Sequence, residues 1–346
     1  MLDDAELAEK VRALRASHSY PQTTTLVETI ETHFAWIFLT DTHAFKLKKP
    51  VVFPGMDLRL LGARRLSCDE ELRLNRHLAA DIYLGTVALV RRADGSLHVG
   101  GEGMVVDWLV MMRRLPATAM LDRAMADHTV CASALTTLGV QLARFYGAQP
   151  WVAFTPEQYR ARIAEQIRGD GCALLAPELH LDPDCVQSAL DAVWRAISRL
   201  ERDLDQRATE KRIVEAHGDL RPEHICLIQP PCVIDALEFS KDLRTLDPAE
   251  ELAFLWVECE YAGDVQPASQ VLEAYRQESG DPVHDELLEF YRSRRALVRA
   301  KIVAWHLRDP AVMNLAPWRT RAEAYVAQAE RHARRAAVPA DAYRQS

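Results

Sequence analysis

Two aspartates near the middle of the chain carry the clearest chemical signal in the sequence. Asp219 lies in the segment His217-Gly-Asp219, and Asp235 follows sixteen residues later, after the apolar run Cys232-Val-Ile. The segment reads as a loop, a short apolar strand, a Pro-Pro turn and a second apolar strand, so we expect a small hairpin with both acids at one end. Two carboxylates so placed suit phosphoryl transfer, in which one orients an attacking hydroxyl and the other holds a metal that bridges nucleotide phosphates.

A longer match around these acids makes the pattern specific. His217-Gly-Asp-Leu-Arg-Pro-Glu-His224 resembles the catalytic loop H-x-D-x-x-x-x-N of protein kinases, in the His-Gly-Asp form usual in the aminoglycoside phosphotransferase and choline kinase-like family. Ile234-Asp235-Ala-Leu-Glu-Phe239 is similar to that family's metal-binding segment, and Asp247-Pro-Ala-Glu-Glu-Leu-Ala-Phe254 to the helix that follows it. The resemblance covers most of the chain and points to an uncharacterised bacterial branch of the family. An isolated His-Gly-Asp is common in turns, but the longer match favours catalysis.

The resemblance implies a role for each of these side chains. Asp219 would accept or orient the proton of the substrate hydroxyl, and His217 would brace the loop backbone. Arg221 would neutralise charge on the transferred phosphoryl group, although a solvated loop arginine is an equally good explanation. Asp235 would bind the Mg²⁺ that bridges the phosphates of ATP, and Glu238 would add a contact to the metal.

The sequence departs from the family pattern in two places. His224 stands where the family has a metal-binding Asn, and Mg²⁺ prefers oxygen to imidazole nitrogen. The metal site would then rely on Asp235 and water, or use a softer ion such as Mn²⁺, or catalysis would have been lost. A glycine-rich phosphate loop is also missing, since the corresponding turn is Thr40-Asp-Thr-His43.

Two lysines in an early strand are candidates for contact with nucleotide phosphates. Lys46 and Lys48 share one face of the run Ala44–Lys48, about 7 Å apart, because strand side chains alternate. Glu71 falls on an otherwise apolar stripe of a helix predicted over 61–79, and a carboxylate that faces a core needs a cationic partner. We expect Lys46 to be that partner, as in the lysine–glutamate pair of kinases. Solvated lysines at a strand edge and a half-exposed glutamate remain the alternative.

The segment that ends the predicted sheet is Val105-Val-Asp-Trp-Leu-Val-Met-Met112, followed by Arg113-Arg-Leu-Pro116. It resembles the connection between the two lobes of kinase-like folds. By that resemblance the backbone near Met111 and Met112 would bind the adenine edge, and apolar side chains would cover its faces. A plain core strand is the alternative, since methionine often fills gaps in cores.

These elements predict an α+β chain with a two-lobed protein kinase-like fold. Residues 1–112 would form a small nucleotide-binding lobe with an antiparallel sheet and one helix packed on it, preceded by a surface helix over 3–16. Residues 113–346 would form a larger, mainly helical lobe that carries the catalytic loop 215–239. Its helices are predicted at 117–126, 131–147, 156–168, 183–205, 248–262, 266–278, 284–307 and 318–336.

Composition and charge limit the classes of molecule that the chain is expected to bind. The chain of 346 residues has a formal net charge of −8, which disfavours nonspecific nucleic-acid binding and would suit a cationic acceptor. Glu258, Glu260, Asp281 and Asp285 could line a pocket for such a molecule, although solvated helix faces explain them more simply. The seven scattered cysteines, without a C-x-x-C pair, indicate reduced core thiols in a cytoplasmic protein. The acidic N-terminus and the lack of a long apolar run predict no signal peptide and no membrane passage.

The favoured function is an ATP-dependent phosphotransferase, a small-molecule kinase that acts on an alcohol group. The alternative is a kinase-like pseudoenzyme that binds nucleotide or acts through partners. Intact Lys46, Glu71, Asp219 and Asp235 favour the enzyme, while His224 favours the alternative. A protein kinase is disfavoured, because the sequence has no A-P-E segment or activation loop between Asp235 and Asp247.

Overall fold

The computed structural model describes residues 4–53, 56–308 and 312–337. The chain divides into two compact units. The first contains the chain up to Arg123 together with His224–Ile228 and Cys232–Leu243, and the second contains Ala124–Glu223, Gln229–Pro231 and the chain from Arg244. The lobes assigned to 1–112 and 113–346 remain a prediction. Residue 3 of the predicted first helix and residues 338–346 of the predicted second lobe lie outside the described residues.

An antiparallel sheet forms most of the first unit. Its strands are β1 (Glu28–Glu31), β2 (Ala35–Leu39), β3 (His43–Lys48), β4 (Val52–Phe53), β5 (Met56–Asp57), β6 (Tyr83–Arg91), β7 (Leu97–Val99) and β8 (Met104–Arg113). Six of them form one sheet in the order β1-β2-β3-β8-β6-β7, while β4 pairs with β5. The edge strand β1 is mostly exposed and polar, so it carries no apolar alternation.

The central strand β3 has two chemically different faces, as its alternation predicted. Phe45 and Leu47 are fully buried in an apolar cluster that includes Leu14 at the end of helix α1 (Asp4–Leu14). Lys46 and Lys48 lie on the opposite face, since successive strand side chains alternate. The apolar face therefore anchors the strand, and the other face is left for charged groups.

Helix α2 (Leu61–Ala79) has the bounds predicted from the sequence. Its buried positions recur every three or four residues, as expected for a helix that packs one side against a sheet. Three of them are polar, Arg64 at 2%, Glu71 at 0% and Asn75 at 1% exposure. Buried polar groups require partners, so α2 brings hydrogen-bonding groups into the interior of the first unit.

The rest of the described chain is mainly helical, as the α+β prediction requires. Its helices are α3 (Leu121–Ala126), α4 (Ala132–Ala148), α5 (Pro156–Leu174), α6 (Pro183–Arg199), α7 (Glu201–Thr209), α8 (Lys241–Arg244), α9 (Pro248–Tyr261), α10 (Gln266–Ser279), α11 (Asp285–Trp305) and α12 (Ala316–Ala336). Short strands β9 (Val214–Glu215), β10 (Ile225–Cys226), β11 (Cys232–Val233) and β12 (Thr245–Leu246) interrupt them, with β10 paired to β11 and β9 to β12.

Three of the predicted helices differ clearly in their bounds, and the one predicted over 117–126 begins only at Leu121. The helix predicted over 183–205 is two helices, because Leu200 leaves helical geometry with φ −95° and ψ 16°. Helix α5 continues to Leu174 instead of ending at residue 168. Glycine at 171 suits this continuation, since a Cβ there would lie 3.0 Å from the side chain of Leu190 on α6. The glycine permits close packing of two helices and does not end one.

A buried cluster of charges holds the second unit together around Arg207. Its guanidinium donates to Asp247, at 2.6 Å from Nε to Oδ2, and to Asp281, at 2.8 Å from NH2 to Oδ2. Asp247 also accepts from the backbone N–H of Ala249 at 2.9 Å and so caps α9. Tyr291 on α11 donates to the same carboxylate. Arg207 thus joins α7 to the start of α9 and to the connection between α10 and α11.

The described residues contain no helix that is long and apolar enough to cross a membrane. All seven cysteines are free thiols. The prediction that they are core residues is wrong for Cys131, Cys172 and Cys185, which are exposed. These three lie on or beside helices whose buried faces are formed by other residues, so cysteine type alone did not determine burial.

Candidate active site

Lys46 and Lys48 share one carboxylate. Lys46 Nζ lies 2.9 Å from Glu71 Oε1, and Lys48 Nζ lies 2.5 Å from Glu71 Oε2. The contact predicted between Lys46 and Glu71 is therefore present. The alternative of solvated lysines is wrong, because the two side chains are only 12% and 2% exposed. Glu71 fixes both lysines in direction, and their roles toward a nucleotide stay predictions.

Each lysine also binds a second carboxylate, from the segment that follows β11. Lys46 Nζ lies 2.5 Å from Asp235 Oδ1, and Lys48 forms an ion pair with Glu238. Burial alone would lower the pKa of Lys46, but the charges of Asp235 and Glu71 raise it well above its ordinary value. The five side chains form one network with two positive and three negative charges, so both lysines stay protonated near neutral pH.

Asp235 is held by contacts to its backbone as well as to its side chain. The backbone N–H of Asp235 donates to Tyr83 Oη at 3.0 Å, and the next N–H, of Ala236, donates to Asn75 Oδ1 at 2.9 Å. Asp235 has a φ of 63°, a left-handed conformation that few residues other than glycine adopt. These bonds from β6 and α2 hold the unusual backbone and aim the carboxylate.

His224 lies beside Asp235 at the start of the hairpin. Its Nε2 is 3.7 Å from Asp235 Oδ2, and its backbone carbonyl accepts from the N–H of Ile234 at 2.9 Å. Desolvation works against ionisation of Asp235, but the charge of Lys46 and then that of His224 hold its pKa well below the usual range. The Asp235 carboxylate is therefore ionised at neutral pH.

The predicted metal ligands Asp235, His224 and Glu238 belong to the same unit but not to one compact ligand set. Among residues 4–53, 56–308 and 312–337, no group of three or more His, Cys, Asp or Glu side chains is arranged to hold a metal. Mg²⁺ usually binds one or two carboxylates and keeps several waters. Asp235, 43% exposed and ionised, can serve as such a carboxylate, and the excess negative charge of the network suits a divalent cation. Glu238 is engaged by Lys48.

Met111 and Met112 lie within β8, which is flanked by β3 and β6. Met112 pairs with Ala44 and Tyr83, while Met111 pairs with Phe45 and Gly85. Their side chains alternate, so Met112 lies in the apolar cluster on the Lys46 side and Met111 packs on the other. Because strands flank β8 on both sides, the backbone groups of these methionines are directed at neighbouring strands. Their role toward adenine stays a prediction.

Residues 215–223 of the predicted catalytic loop belong to the second unit. Gly218 has a φ of +88°, which favours glycine and turns the chain sharply between His217 and Asp219. His217 Nδ1 accepts from the N–H of Asp219 at 3.3 Å, so this side chain braces the loop. The hairpin residues Asp235 and His224 belong to the first unit. The expectation that one hairpin brings Asp219 and Asp235 together remains a prediction.

Glu251 on α9 accepts hydrogen bonds from the backbone of the predicted catalytic loop. Its carboxylate accepts from the N–H of His217 at 3.0 Å, from the N–H of Gly218 and from the hydroxyl of Tyr146 at 2.8 Å. Burial raises the pKa of Glu251, and these donors oppose the rise. The loop backbone is thus fixed by a buried acid at the start of the following helix.

Asp219 is bound by the arginine two residues further on. Arg221 Nε lies 2.9 Å from Asp219 Oδ1, and Arg221 NH1 pairs with Glu223. Asp219 is 24% exposed and Arg221 17%. The alternative of a solvated loop arginine is therefore wrong for Arg221. Asp219 retains an exposed edge, which a hydroxyl group can reach.

Sequence reasoning missed three supporting residues, Asn75, Tyr83 and Glu251. Asn75 follows Glu71 by four residues, so helical spacing places both on one side of α2. Glu251 lies in the Asp247-Pro-Ala-Glu-Glu segment that was already singled out. Tyr83 had no such signal, because its contact with Asp235 spans 152 residues.

Comparison with protein families decides the classification. The family model described as "Phosphotransferase enzyme family", APH, matches residues 58–290. The chain belongs to this family. The match includes Glu71, the catalytic-loop segment and Asp235, so family and geometry concern the same residues.

Relatives extend the comparison without adding an activity. Uncharacterised proteins of Mycobacterium tuberculosis and Mycobacterium bovis are 31% identical over 286 residues, which is 80% of this chain and 54% of theirs. The chain thus spans about half the length of these curated relatives. This APH-family chain matches a region of them and not their whole length.

Solved structures show the protein kinase-like fold. A choline kinase from Cryptosporidium parvum matches with a TM-score of 0.57 at 10% identity, covering 99% of this chain and 100% of that one. A choline/ethanolamine kinase family protein from Mesorhizobium loti matches with a TM-score of 0.54 at 13% identity, covering 94% and 99%. An aminoglycoside phosphotransferase, APH(4)-Ia, matches with a TM-score of 0.50 at 11% identity, covering 95% and 99%. Identities this low show the fold of the APH-family chain and leave its substrate open.

Proposed function

We propose that this APH-family protein transfers the γ-phosphoryl group of ATP to a hydroxyl group of a small molecule. The observation that carries the proposal is the network in which Lys46 binds both Glu71 and Asp235. A strand lysine paired with a helix glutamate and set against an ionised aspartate is the arrangement that positions nucleotide phosphates in kinases. A purely structural network would not require the aspartate to remain 43% exposed.

The proposed reaction assigns one role to each charged group. The acceptor oxygen attacks the γ-phosphorus of ATP while the bond to the ADP oxygen breaks. The hydroxyl proton passes to the Asp219 carboxylate and then to water. Lys46 stabilises negative charge on the phosphates, and Arg221 holds Asp219 in place from 2.9 Å. When bound, Mg²⁺ would be held by Asp235 and would neutralise phosphate charge.

The nucleotide base needs backbone groups that the sheet does not use. Met111 and Met112 lie between two strands, and the N–H of Arg114 still donates to the carbonyl of Thr42 at 2.9 Å. The proposal therefore shifts the base contact to the chain after Arg114, where Leu115 packs against the same apolar cluster as Met112. Met112 would cover one face of the base, and Met111 would act only through the sheet.

Removal of the Asp235 carboxylate tests nucleotide binding. We expect Asp235→Ala to abolish Mg²⁺-dependent binding of a nonhydrolysable ATP analogue, because the exposed carboxylate is the group available to the metal. Calorimetric titration with Mg²⁺, with Mn²⁺ and with neither measures this. Asp191→Asn, a change of an exposed acid on α6, serves as the matched control. Equal affinity in Asp235→Ala and wild type would overturn the assignment.

Lys46 and Lys48 are expected to differ in effect. Lys46→Met should raise the KM for ATP at least tenfold, since Lys46 binds the half-exposed Asp235. Lys48→Met should mainly reduce thermal stability, because Lys48 is 2% exposed and its loss leaves Glu238 without this cation. Steady-state kinetics and thermal unfolding of both variants separate the two effects. A larger rise of KM in Lys48→Met would reverse the assignment.

His224 distinguishes the enzyme from a kinase-like pseudoenzyme. If His224 occupies the ligand position, His224→Asn should keep or strengthen Mg²⁺-dependent binding of the ATP analogue, because an amide oxygen suits Mg²⁺ better than a ring nitrogen. His224 Nε2 lies 3.7 Å from Asp235 Oδ2, so a change of the side chain at position 224 should alter metal binding at Asp235. Weaker binding in His224→Asn would show that the imidazole has acquired a role of its own. A wild type that binds no ATP analogue in any titration would favour the pseudoenzyme.

A further inference from the structure

The acidic residues considered for a cationic acceptor are already neutralised. Glu258 accepts from Arg299 at 2.7 Å and 3.2 Å and from Tyr325 at 2.8 Å. Asp281 is buried against Arg207. The expectation of solvated helix faces is wrong for these acids, which are 5% and 2% exposed.

The other two acids offer no better site for an ammonium group. Glu260 binds His332 at 2.7 Å and Arg331 at 2.7 Å. Asp285 is 85% exposed and pairs with Arg276 at 2.9 Å. A cationic acceptor would have to displace a cation of the protein from each of these four acids, which costs the protein an existing ion pair.

The surroundings of Asp219 in the second unit contain arginines in place of free acids. Arg221 binds Asp219 directly. Burial lowers the pKa of Arg299, but the charge of Glu258, with a smaller contribution from Asp219, raises it above the ordinary value. The side chain of Arg299 is 7% exposed and that of Arg221 is 17% exposed. The protein's own arginines therefore supply positive charge toward Asp219, the proposed proton acceptor.

Arg321 on α12 shares Glu258 with Arg299 but is less firmly paired than Arg299. It is 32% exposed, its NH2 is 3.9 Å from Glu258 Oε2 and 3.4 Å from Tyr325 Oη, and these contacts are longer than strong hydrogen bonds. Its buried Nε has no hydrogen-bond partner within the described part of the chain. A planar guanidinium that is partly exposed and only weakly paired suits a carboxylate or phosphate group.

Two tyrosines hold this guanidinium in place. Tyr261 and Tyr325 stack with ring centroids 4.8 Å apart, and the guanidinium of Arg321 lies 4.9 Å from the centroid of Tyr261 and 5.8 Å from that of Tyr325. Tyr261 is 42% exposed. The rings orient the arginine at low entropic cost, and Tyr261 stays partly accessible to a bound molecule.

We infer that the phosphoryl acceptor carries a negatively charged group, a carboxylate or a phosphate, which Arg321 binds beside Tyr261. The inference rests on the proposed phosphotransfer function and names the class of its substrate, a hydroxylated small anion. It replaces the earlier expectation of a cationic acceptor. Arg321 acts in acceptor binding and takes no part in proton transfer.

Matched polyols test the charge preference directly. Gluconate, glucitol and glucamine share a six-carbon hydroxylated chain and differ in charge at one end, and glycerate, glycerol and 3-aminopropane-1,2-diol form a smaller set. Their dissociation constants are measured by calorimetry in the presence of Mg²⁺ and an ATP analogue, with wild type, Arg321→Gln, Arg321→Lys and the control Arg334→Gln. Arg334 lies on the same helix, is 65% exposed and pairs with Glu330.

We expect an anion of at least one set to bind wild type and Arg334→Gln at least tenfold more tightly than its neutral and cationic counterparts. Arg321→Gln should lose this preference, and Arg321→Lys should keep part of it. Amines that bind as tightly as the acids, acid affinity unchanged in Arg321→Gln, or no binding of any anion would each overturn the inference. Titration of the ATP analogue without an acceptor tests the proposed function separately, because binding of the analogue does not depend on Arg321.

Discussion

Asp219→Asn is expected to lower kcat about 10³-fold while the KM for ATP changes little. An amide of the same size cannot accept the hydroxyl proton, and general-base catalysis by a positioned side chain typically contributes about 10² to 10⁴ in rate. The loop should keep its shape, because Glu251 holds it through backbone N–H groups that the substitution does not touch. The substitution separates chemistry from binding.

The measurement is steady-state phosphotransfer together with calorimetric binding of the ATP analogue. Asp205→Asn is a suitable control, since Asp205 on α7 pairs with Arg160 and lies outside the loop. Unchanged kcat in Asp219→Asn would remove Asp219 from the mechanism. A loss of analogue binding equal to the loss of kcat would instead assign Asp219 to nucleotide binding.

Arg207→Met is expected to lower the free energy of unfolding by about 3–5 kcal/mol. The substitution leaves Asp247 and Asp281 buried without the cation that binds both, and an uncompensated buried charge costs about that much. Tyr275 and Tyr291 still donate to these carboxylates and keep the loss within this range. Urea unfolding of the variant and of Arg202→Met, an exposed arginine on the same helix, measures the difference.

The same variant should show a characteristic pH dependence. Burial raises the pKa of Asp281, but Arg207 outweighs it and holds the pKa below the ordinary value. The stabilisation is therefore present above the unfolded pKa of about 3.9 and is lost as pH falls through the lower folded value. The difference between wild type and Arg207→Met should shrink below about pH 4. A difference under about 1 kcal/mol at pH 7 would show that the two acids find other cations.

Local sequence patterns predicted part of the candidate site correctly. Alternation along β3 placed Lys46 and Lys48 on one face, and helical spacing put Glu71 on the buried side of α2. These patterns left solvated side chains as an alternative, and the resemblance to kinases favoured the ion pair between Lys46 and Glu71. Lys48 is the last residue of β3, where it pairs with Ala35 of β2. It is nevertheless more deeply buried than Lys46, which the local pattern does not show.

The rest of the site depends on contacts between distant parts of the chain. Asn75 and Ala236 are 161 residues apart, and Glu258 and Arg299 are 41 residues apart on different helices. A carboxylate on a helix looks solvated until the helix that carries its arginine is known. The break between α6 and α7 at Leu200 was also missed, because no glycine or proline marks it in the sequence.

The lysine–carboxylate network limits which amino-acid substitutions this chain can accept during evolution. Glu71 binds two lysines, and each lysine binds a further acid, Asp235 or Glu238. Loss of one carboxylate leaves two lysines with two carboxylates, and each lysine still has a partner. Loss of a lysine instead leaves three carboxylates with one cation in the interior, which is destabilising. The acids at these positions can therefore change one at a time, whereas a descendant that replaces Lys46 is under selection to replace an acid as well.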